Sequence, residues 1–379
     1  MNEIEGTPVV RFTAARFLDA APDVNVIVAA PAFDTGGRLE DAFSDVISDR
    51  LAIFYGSSAS PLQRMVDAVE FMADDDYIIR CDGLHFAADI PAAFAMRGQA
   101  IAGGLDCMKL PDDFPPQFGT DIYRVGALRA YAKMDIDPAF HVHPKYGMFA
   151  DKRNFKCSFA SAPRYSDDFL AEVRRMARSV YVIPRLEVNE KSISAGDQLS
   201  FHYEVASRYI SSEQKVLDIA CGGGYGSFYI GQFARQVMGA DLDPGVVEGA
   251  RRAAAHHPEA GHVEFSVQDV TATDFSDASF DAVLSMETVE HVDDDAYIRE
   301  IARVLRPGGL FILSTPQNAL GHIPVNAEHQ REYSIEQIES LVQPYFDVKE
   351  IVGIKQGRIV IPGSPRGCNV MLICEQKAA

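Results

Sequence analysis

The segment Lys215-Val-Leu-Asp-Ile-Ala-Cys-Gly-Gly-Gly-Tyr-Gly226 constrains this chain more than any other. An apolar, β-branched run meets a carboxylate and then a cluster of glycines, so a strand is expected to end in a tight turn that opens a helix. The pattern then repeats. Val237 to Asp241 reads as a second strand, followed by a helix whose Pro244 suits a first turn. Val263 to Val267, Phe280 to Ser285 and Leu310 to Ser314 read as further strands, with Arg306-Pro-Gly-Gly309 turning the chain into the last of them. Phe346 to Val352 and Asn369 to Cys374 complete the series as a hairpin at the sheet edge. Strands alternating with helices in this way predict a doubly wound, seven-stranded α/β sheet.

At 379 residues the chain suits two domains rather than one core. The boundaries expected are 1–160 for a smaller α/β domain, 161–197 for a linker and 198–379 for the glycine-loop domain. In the first part, Val24 to Ala30, Leu51 to Tyr55 and Tyr77 to Cys81 are strand candidates. Helical patterns lie over Pro61 to Met72 and Tyr165 to Ser179, and together they predict a mostly parallel sheet. The formal charge of −19 opposes nucleic-acid binding, and Arg174-Arg175 with Arg178 is too thin a basic cluster to track a polyanion. Six cysteines form no C-x-x-C pair, which argues against a zinc knuckle or a disulfide framework. Met1 to Phe12 does not read as a signal peptide, and no apolar run is long enough to span a bilayer. A reduced, cytoplasmic compartment is the expectation.

A glycine loop alone is shared with dinucleotide binders and with plain structural turns. Three features narrow the reading. Asp218, four residues before Gly222, places negative charge where a cationic ligand is favoured and a pyrophosphate is not. The dinucleotide fingerprint would need glycine or alanine at position 227, where this chain has Ser227. Asp241 closes the second strand, where an acid can accept two ribose hydroxyls, and Asp269 follows the third, where it can accept from an adenine amino group.

Val216 to Gly226, Gly239-Ala-Asp-Leu-Asp243, Gln268-Asp269, Phe280-Asp281 to His291 and Leu305-Arg-Pro-Gly-Gly309 resemble, in order, the successive motifs of the class I methyltransferases. The resemblance covers roughly residues 200–375 and implies a Rossmann-like sheet with S-adenosylmethionine as cofactor. It implies cofactor contacts from Tyr203, Asp218, Ala220, Gly222, Gly224, Asp241, Leu242, Asp269, Val270 and Glu287. Ala220 departs from the glycine that many relatives carry. Gln198 to Ile210, with His202 and Tyr203, resembles the family's N-terminal capping helix.

For methyl transfer to a hydroxyl, the protein must position the acceptor and remove its proton. If helical, Glu287, Glu290 and His291 share one face pointing into the cofactor crevice. His291 is then a general base, or the three hold a divalent cation as in some methyltransferases with a similar Glu-x-x-Glu-His segment, or they serve only the cofactor shell and the helix start. Asn326-Ala-Glu-His-Gln-Arg-Glu-Tyr333 resembles a segment of methyltransferases that accompany polysaccharide and glycosyl-modification genes, which implies that His329 and Arg331 face the acceptor. The alternative is a solvated loop. The acceptor expected is a sugar, sugar nucleotide or surface-glycan intermediate, with a small-molecule phenol or phosphonate-type metabolite as the runner-up.

The first part resembles the nucleotidyltransferases that make CMP-activated sugars. Gly6-Thr-Pro-Val9, Val24 to Ala30, Phe54-Tyr-Gly56, Pro61-Leu-Gln-Arg64, Ile78-Ile-Arg-Cys-Asp82 and Phe118-Gly-Thr-Asp121 carry the likeness, and Asp82 would help bind a metal there. With five residues ahead of Gly6 and no Asp-x-Pro at Asp82, the expectation is a shortened, inactive relative used for binding, docking or homo-oligomer formation. A bifunctional enzyme is the alternative.

Overall fold

The computed structural model describes residues 3–46, 48–180, 198–256, 262–321, 326, 328–355 and 359–377. The chain divides into two compact units, Met1–Val182 and Ile183–Ala379. Of the linker expected over 161–197, residues 181–197 lie outside the described residues. Among the described residues no helix is long and apolar enough to cross a membrane.

In the first unit, β1 (Glu3–Ile4) and β2 (Thr7–Pro8) form a short antiparallel pair ahead of α1 (Val9–Ala20). β3 (Val26–Pro31), α2 (Arg38–Phe43) and β4 (Leu51–Gly56) follow, and β3 pairs parallel with β4. α3 (Pro61–Ala68) starts on Ser60, whose hydroxyl accepts from the Gln63 N–H while Pro61 takes the first turn. Then come β5 (Tyr77–Arg80), α4 (Ile90–Gly103), β6 (Cys107–Lys109), β7 (Asp121–Arg124), α5 (Val125–Ala132), α6 (Pro144–Ala150), β8 (Cys157–Phe159) and α7 (Asp167–Val180). The last four strands form their own sheet in the order β5-β7-β6-β8, with β7 antiparallel to both neighbours. The single, mostly parallel sheet expected here is therefore split, with β3 and β4 in one sheet and β5 in another. A short apolar run carries no record of strand direction, and pairing decides it.

The second unit opens with α8 (Gln198–Ala206) and continues β9 (Lys215–Ile219), α9 (Tyr225–Gly231), β10 (Gln236–Asp241), α10 (Pro244–Ala255) and β11 (Val263–Val267). After these come β12 (Phe280–Met286), α11 (Asp294–Val304), β13 (Leu305–Pro316), α12 (Ile335–Val342), β14 (Phe346–Lys355), β15 (Ile359–Val360) and β16 (Asn369–Gln376). The sheet order is β11-β10-β9-β12-β13-β16-β14-β15. It has eight strands rather than seven, because β15 adds a two-residue edge. The last strand is not at the edge. β16 inserts between β13 and β14, antiparallel to both.

Period-two alternation gives this sheet two buried faces. Leu217, Ile219, Val283, Phe311 and Leu313 pack with Ile298 and Ile301 of α11 and Ile338 and Val342 of α12. Val216, Leu284, Ile312 and Met371 pack on the other side with Val205 of α8, Ile230 of α9 and Val247 and Ala250 of α10. Such a side chain contributes about 1.5–3 kcal/mol on full burial, so both faces hold the strand ends rigidly. Arg306-Pro-Gly-Gly309 is absorbed as a bulge, since Phe280 stands opposite Leu305 and Ala282 opposite Leu310.

Candidate active site

The glycine loop lies at the carboxyl end of β9, beside the reversal of strand order where such sheets bind ligands. Its residues are small for different reasons. Gly222 has φ of +56° and faces open space, so a ligand can approach its backbone. A Cβ on Gly224 would come within 2.6 Å of the Phe265 ring, and one on Gly226 would fall inside the Tyr203 ring. Gly222 thus leaves open space where a side chain would stand, while Gly224 and Gly226 make room for rings of the protein itself. Ala220 takes a φ of +56°, the region that favours glycine, which gives the relatives' glycine a backbone reason.

Asp218 is fully buried behind the loop. Its Oδ1 accepts from the Tyr203 hydroxyl at 2.9 Å and its Oδ2 from the Ser227 hydroxyl at 2.6 Å. Burial pushes its carboxyl up to about 6, against the two hydrogen bonds and with help from Asp241. Its side chain thus ties the capping helix α8 to the loop, instead of pointing into an open crevice. Asp241 accepts from the Gly222 N–H at 3.0 Å and from the Asp243 N–H at 3.0 Å, one on each oxygen, which leaves lone pairs on both. Leu242 beside it is exposed, and Asp269 is exposed with Oδ1 held by the Thr271 N–H and hydroxyl. These bonds lower the Asp269 carboxyl below its usual range. The Val270 side chain belongs to the core.

Glu287, Glu290 and His291 do not share a helical face. Only Val289–His291 forms a single 3-10 turn, and Glu287 precedes it with φ of +53°. The Glu287 carboxylate accepts from Ser314 Oγ at 2.8 Å and from Asn369 Nδ2 at 2.7 Å. Glu290 is wholly buried, with Oε2 accepting from Thr315 Oγ1 and Oε1 without a hydrogen-bond partner among the described residues. Burial, then the charge of Glu287, drives the Glu290 carboxyl well above its usual range. His291 Nδ1 lies 3.1 Å from the Glu328 carbonyl, and its ring meets that of His329 edge-on at 4.9 Å. Burial and the neighbouring His329 lower the His291 pKa.

His329 comes to the same place from the segment after β13. Its Nδ1 lies 2.9 Å from Glu332 Oε1 and its Nε2 lies 3.1 Å from Asn326 Nδ2. Glu290, His291 and His329 each offer a ligand atom within 4.8 Å of the others. Arg331, expected to face an acceptor, pairs with Asp294 of α11 at 2.6 Å. Sequence reading overlooked Ser314, Glu332 and Asn369, and took Ser227 only as a departure from the dinucleotide fingerprint rather than as a partner of Asp218. One signal was available for Ser314, since the apolar run Leu310 to Leu313 switches to Ser-Thr where the strand reaches its ligand-facing end. Asn369 had none, because its position rests on β16 lying antiparallel to β13.

A family model described as "Methyltransferase domain" matches residues 217–313. A probable S-adenosylmethionine-dependent methyltransferase of Mycolicibacterium smegmatis is 34% identical over 148 residues, which are 38% of this chain and 55% of that protein. A ubiquinone biosynthesis O-methyltransferase of Xanthomonas axonopodis pv. citri is 40% identical over 129 residues, 33% of this chain and 52% of its own. The chain spans about half the length of these curated relatives. A solved S-adenosylmethionine-dependent methyltransferase of Mesorhizobium loti overlays with a TM-score of 0.39 at 15% identity, covering 47% of this chain and 100% of that one. The C-terminal unit carries a class I S-adenosylmethionine-dependent methyltransferase domain.

Proposed function

We propose that this protein transfers the methyl group of S-adenosylmethionine to an oxygen of a small acceptor, a hydroxyl of a sugar, sugar nucleotide or surface-glycan intermediate. The observation that carries an O-methyl reading is the convergence of Glu290, His291 and His329 beyond the carboxyl ends of β12 and β13. Methyl transfer is an in-line displacement at an activated carbon, so the protein's task is to align the acceptor and handle its proton. Gly222 would let the cofactor lie against the loop. The remaining lone pairs of Asp241 would take the ribose hydroxyls, while Leu242 and Asp269 would flank the adenine.

The two histidines suit a divalent cation better than a lone base. His291 has Nδ1 against the Glu328 carbonyl, which leaves its Nε2 for the cluster in the manner of metal-ligating histidines, while His329, with Nδ1 on Glu332 Oε1 and Nε2 on Asn326 Nδ2, would exchange the Asn326 contact for the ion. The unpartnered Oε1 of Glu290, 4.0 Å from His291 Nε2, completes a fitting donor set. A cation there would lower the pKa of an acceptor hydroxyl. Glu287, expected among the ligands, has both oxygens engaged by Ser314 and Asn369 and would serve as support.

A second reading, a phenolic hydroxyl as acceptor, is favoured by the relatives named as ubiquinone biosynthesis O-methyltransferases. For the N-terminal unit the proposal remains a nucleotidyltransferase-like binding or docking module in a cytoplasmic protein. Asp82, its candidate metal ligand, is held by Arg80 at 3.3 Å. Incubating the full chain with labelled S-adenosylmethionine and a panel of nucleotide sugars, glycan intermediates and phenols tests the assignment. A methyl ether on a sugar supports the first reading and one on a phenol the second. Label on nitrogen or carbon rejects both. Turnover of CTP by the same protein would overturn the inactive-module reading.

A further inference from the structure

We propose that His202 of the capping helix is the general base, with its Nε2 receiving the proton of the acceptor hydroxyl. The inference rests on the O-methyltransferase reading above and assigns a step that reading leaves without a residue. His202 is 4% exposed, and its Nε2 is buried with no hydrogen-bond partner among the described residues.

The tautomer follows from proton counting. Ser314 has one hydroxyl proton, and it goes to Glu287 Oε1 at 2.8 Å. The contact between Ser314 Oγ and His202 Nδ1 at 3.2 Å must then be an Nδ1–H donating to the serine oxygen. Nδ1 carries the ring proton, and Nε2 keeps a lone pair. Asn369 Nδ2 holds the other Glu287 oxygen at 2.7 Å, so the chain His202–Ser314–Glu287 ends on a fixed carboxylate. This is the arrangement a base needs, a ring oriented from behind with its acceptor nitrogen free. Glu287 is also the charged group facing His202 among the described residues, 3.7 Å from Nδ1. Burial lowers the His202 pKa while Glu287 opposes the shift, which keeps the imidazole neutral and able to accept.

The side chain is anchored at the strand ends. Ser314 stands in register with Met286, immediately before Glu287, at the carboxyl ends of β13 and β12. Tyr203, the next residue along α8, bonds Asp218 in the adjacent β9. His202 is therefore held over three neighbouring strand ends, where such sheets place ligands. In the step, the acceptor oxygen forms a bond to the methyl carbon as the carbon–sulfur bond breaks. The sulfonium becomes a neutral thioether, the hydroxyl proton passes to Nε2, and the positive charge moves to an imidazolium facing Glu287 through Ser314.

The first test is nitrogen NMR of the full chain labelled in histidine and saturated with S-adenosylmethionine, with the His202 signals assigned by their loss in His202→Gln. A neutral ring at pH 7, protonated at Nδ1 and bare at Nε2, is expected. An Nε2–H tautomer or an imidazolium overturns the proposal, whatever the acceptor proves to be. The second test uses UDP-glucose and catechol as probe acceptors in single turnovers. His202→Gln should lower the rate by about 100-fold and remove the acid limb of the pH–rate profile, with cofactor affinity within about twofold. A variant within about threefold of wild type rejects the base. A wild type that binds the cofactor but methylates neither probe counts against the acceptor assignment alone, because the NMR result stands independently.

Discussion

The Tyr203 hydroxyl donates to Asp218 Oδ1 across 2.9 Å, while the Tyr203 ring occupies the space that a side chain on Gly226 would take. One aromatic residue thus fastens the capping helix to the buried end of β9 and to the glycine loop at once. Tyr203→Phe keeps the ring and strands one oxygen of a buried carboxylate. We expect a loss of about 1–3 kcal/mol in denaturant unfolding, with weaker binding of S-adenosylmethionine by calorimetry. Unchanged values in both would show that the helix and loop are not coupled through this bond.

The loop glycines should separate by experiment. Gly226→Ala drives a methyl group into Tyr203 and is expected to cost about 1–3 kcal/mol of stability. Gly222→Ala meets no protein atom, and its strain at positive φ costs about 1–2 kcal/mol. Its methyl group would enter the space assigned to the cofactor, so affinity should fall more than stability does. Thermal unfolding with and without cofactor distinguishes the two patterns.

Asp218 predicts a pH signature. Its folded pKa, about 6, lies above the ordinary aspartate value, so its contribution to stability is full below that ordinary value and is lost as pH rises through about 6. The stability of wild type minus that of Asp218→Asn should therefore decline between about pH 4 and 6, by a total on the order of 3 kcal/mol. Urea unfolding at several pH values measures the difference. A flat difference would mean that the carboxyl is not held in a desolvated site.

Asp241→Ala removes the acceptor of the Gly222 N–H together with the proposed ribose contact. At least roughly a tenfold loss of cofactor affinity is expected, about one good charged hydrogen bond. Calorimetry that finds unchanged affinity rejects the ribose assignment.

Protein stripped with a chelator should bind zinc or manganese with a single site per chain. His329→Ala should weaken that binding by at least about tenfold. Methyl transfer should be lost in chelator and return with the ion. Full turnover by the stripped protein would remove the cation and leave the two histidines as positioning groups.

Local chemistry made a large part of the second unit legible. Pro244 after Asp243 starts α10 where its sequence says, with Asp243 Oδ1 accepting from the Gly245 and Val246 N–H groups. Apolar alternation marked β9 to β13, because each residue's face follows from a period of two. Direction and order were not legible. β16 slots between β13 and β14 through pairings to both, and β7 reverses against β5 and β6.

The sequence by itself determined the strand–loop–helix unit around Gly222 to Gly226 and the order of carboxylates at the strand ends, since those depend on neighbours a few residues apart. Only the tertiary structure decided what each polar group faces. It turned Asp218 inward to Tyr203 and Ser227, gave Arg331 to Asp294, and brought His329 to Glu290 and His291. It also set His202 against Ser314, 112 positions away. Hydrogen bonds of this kind form between groups that packing of the sheet brings together, and no local pattern records which partner packing will supply.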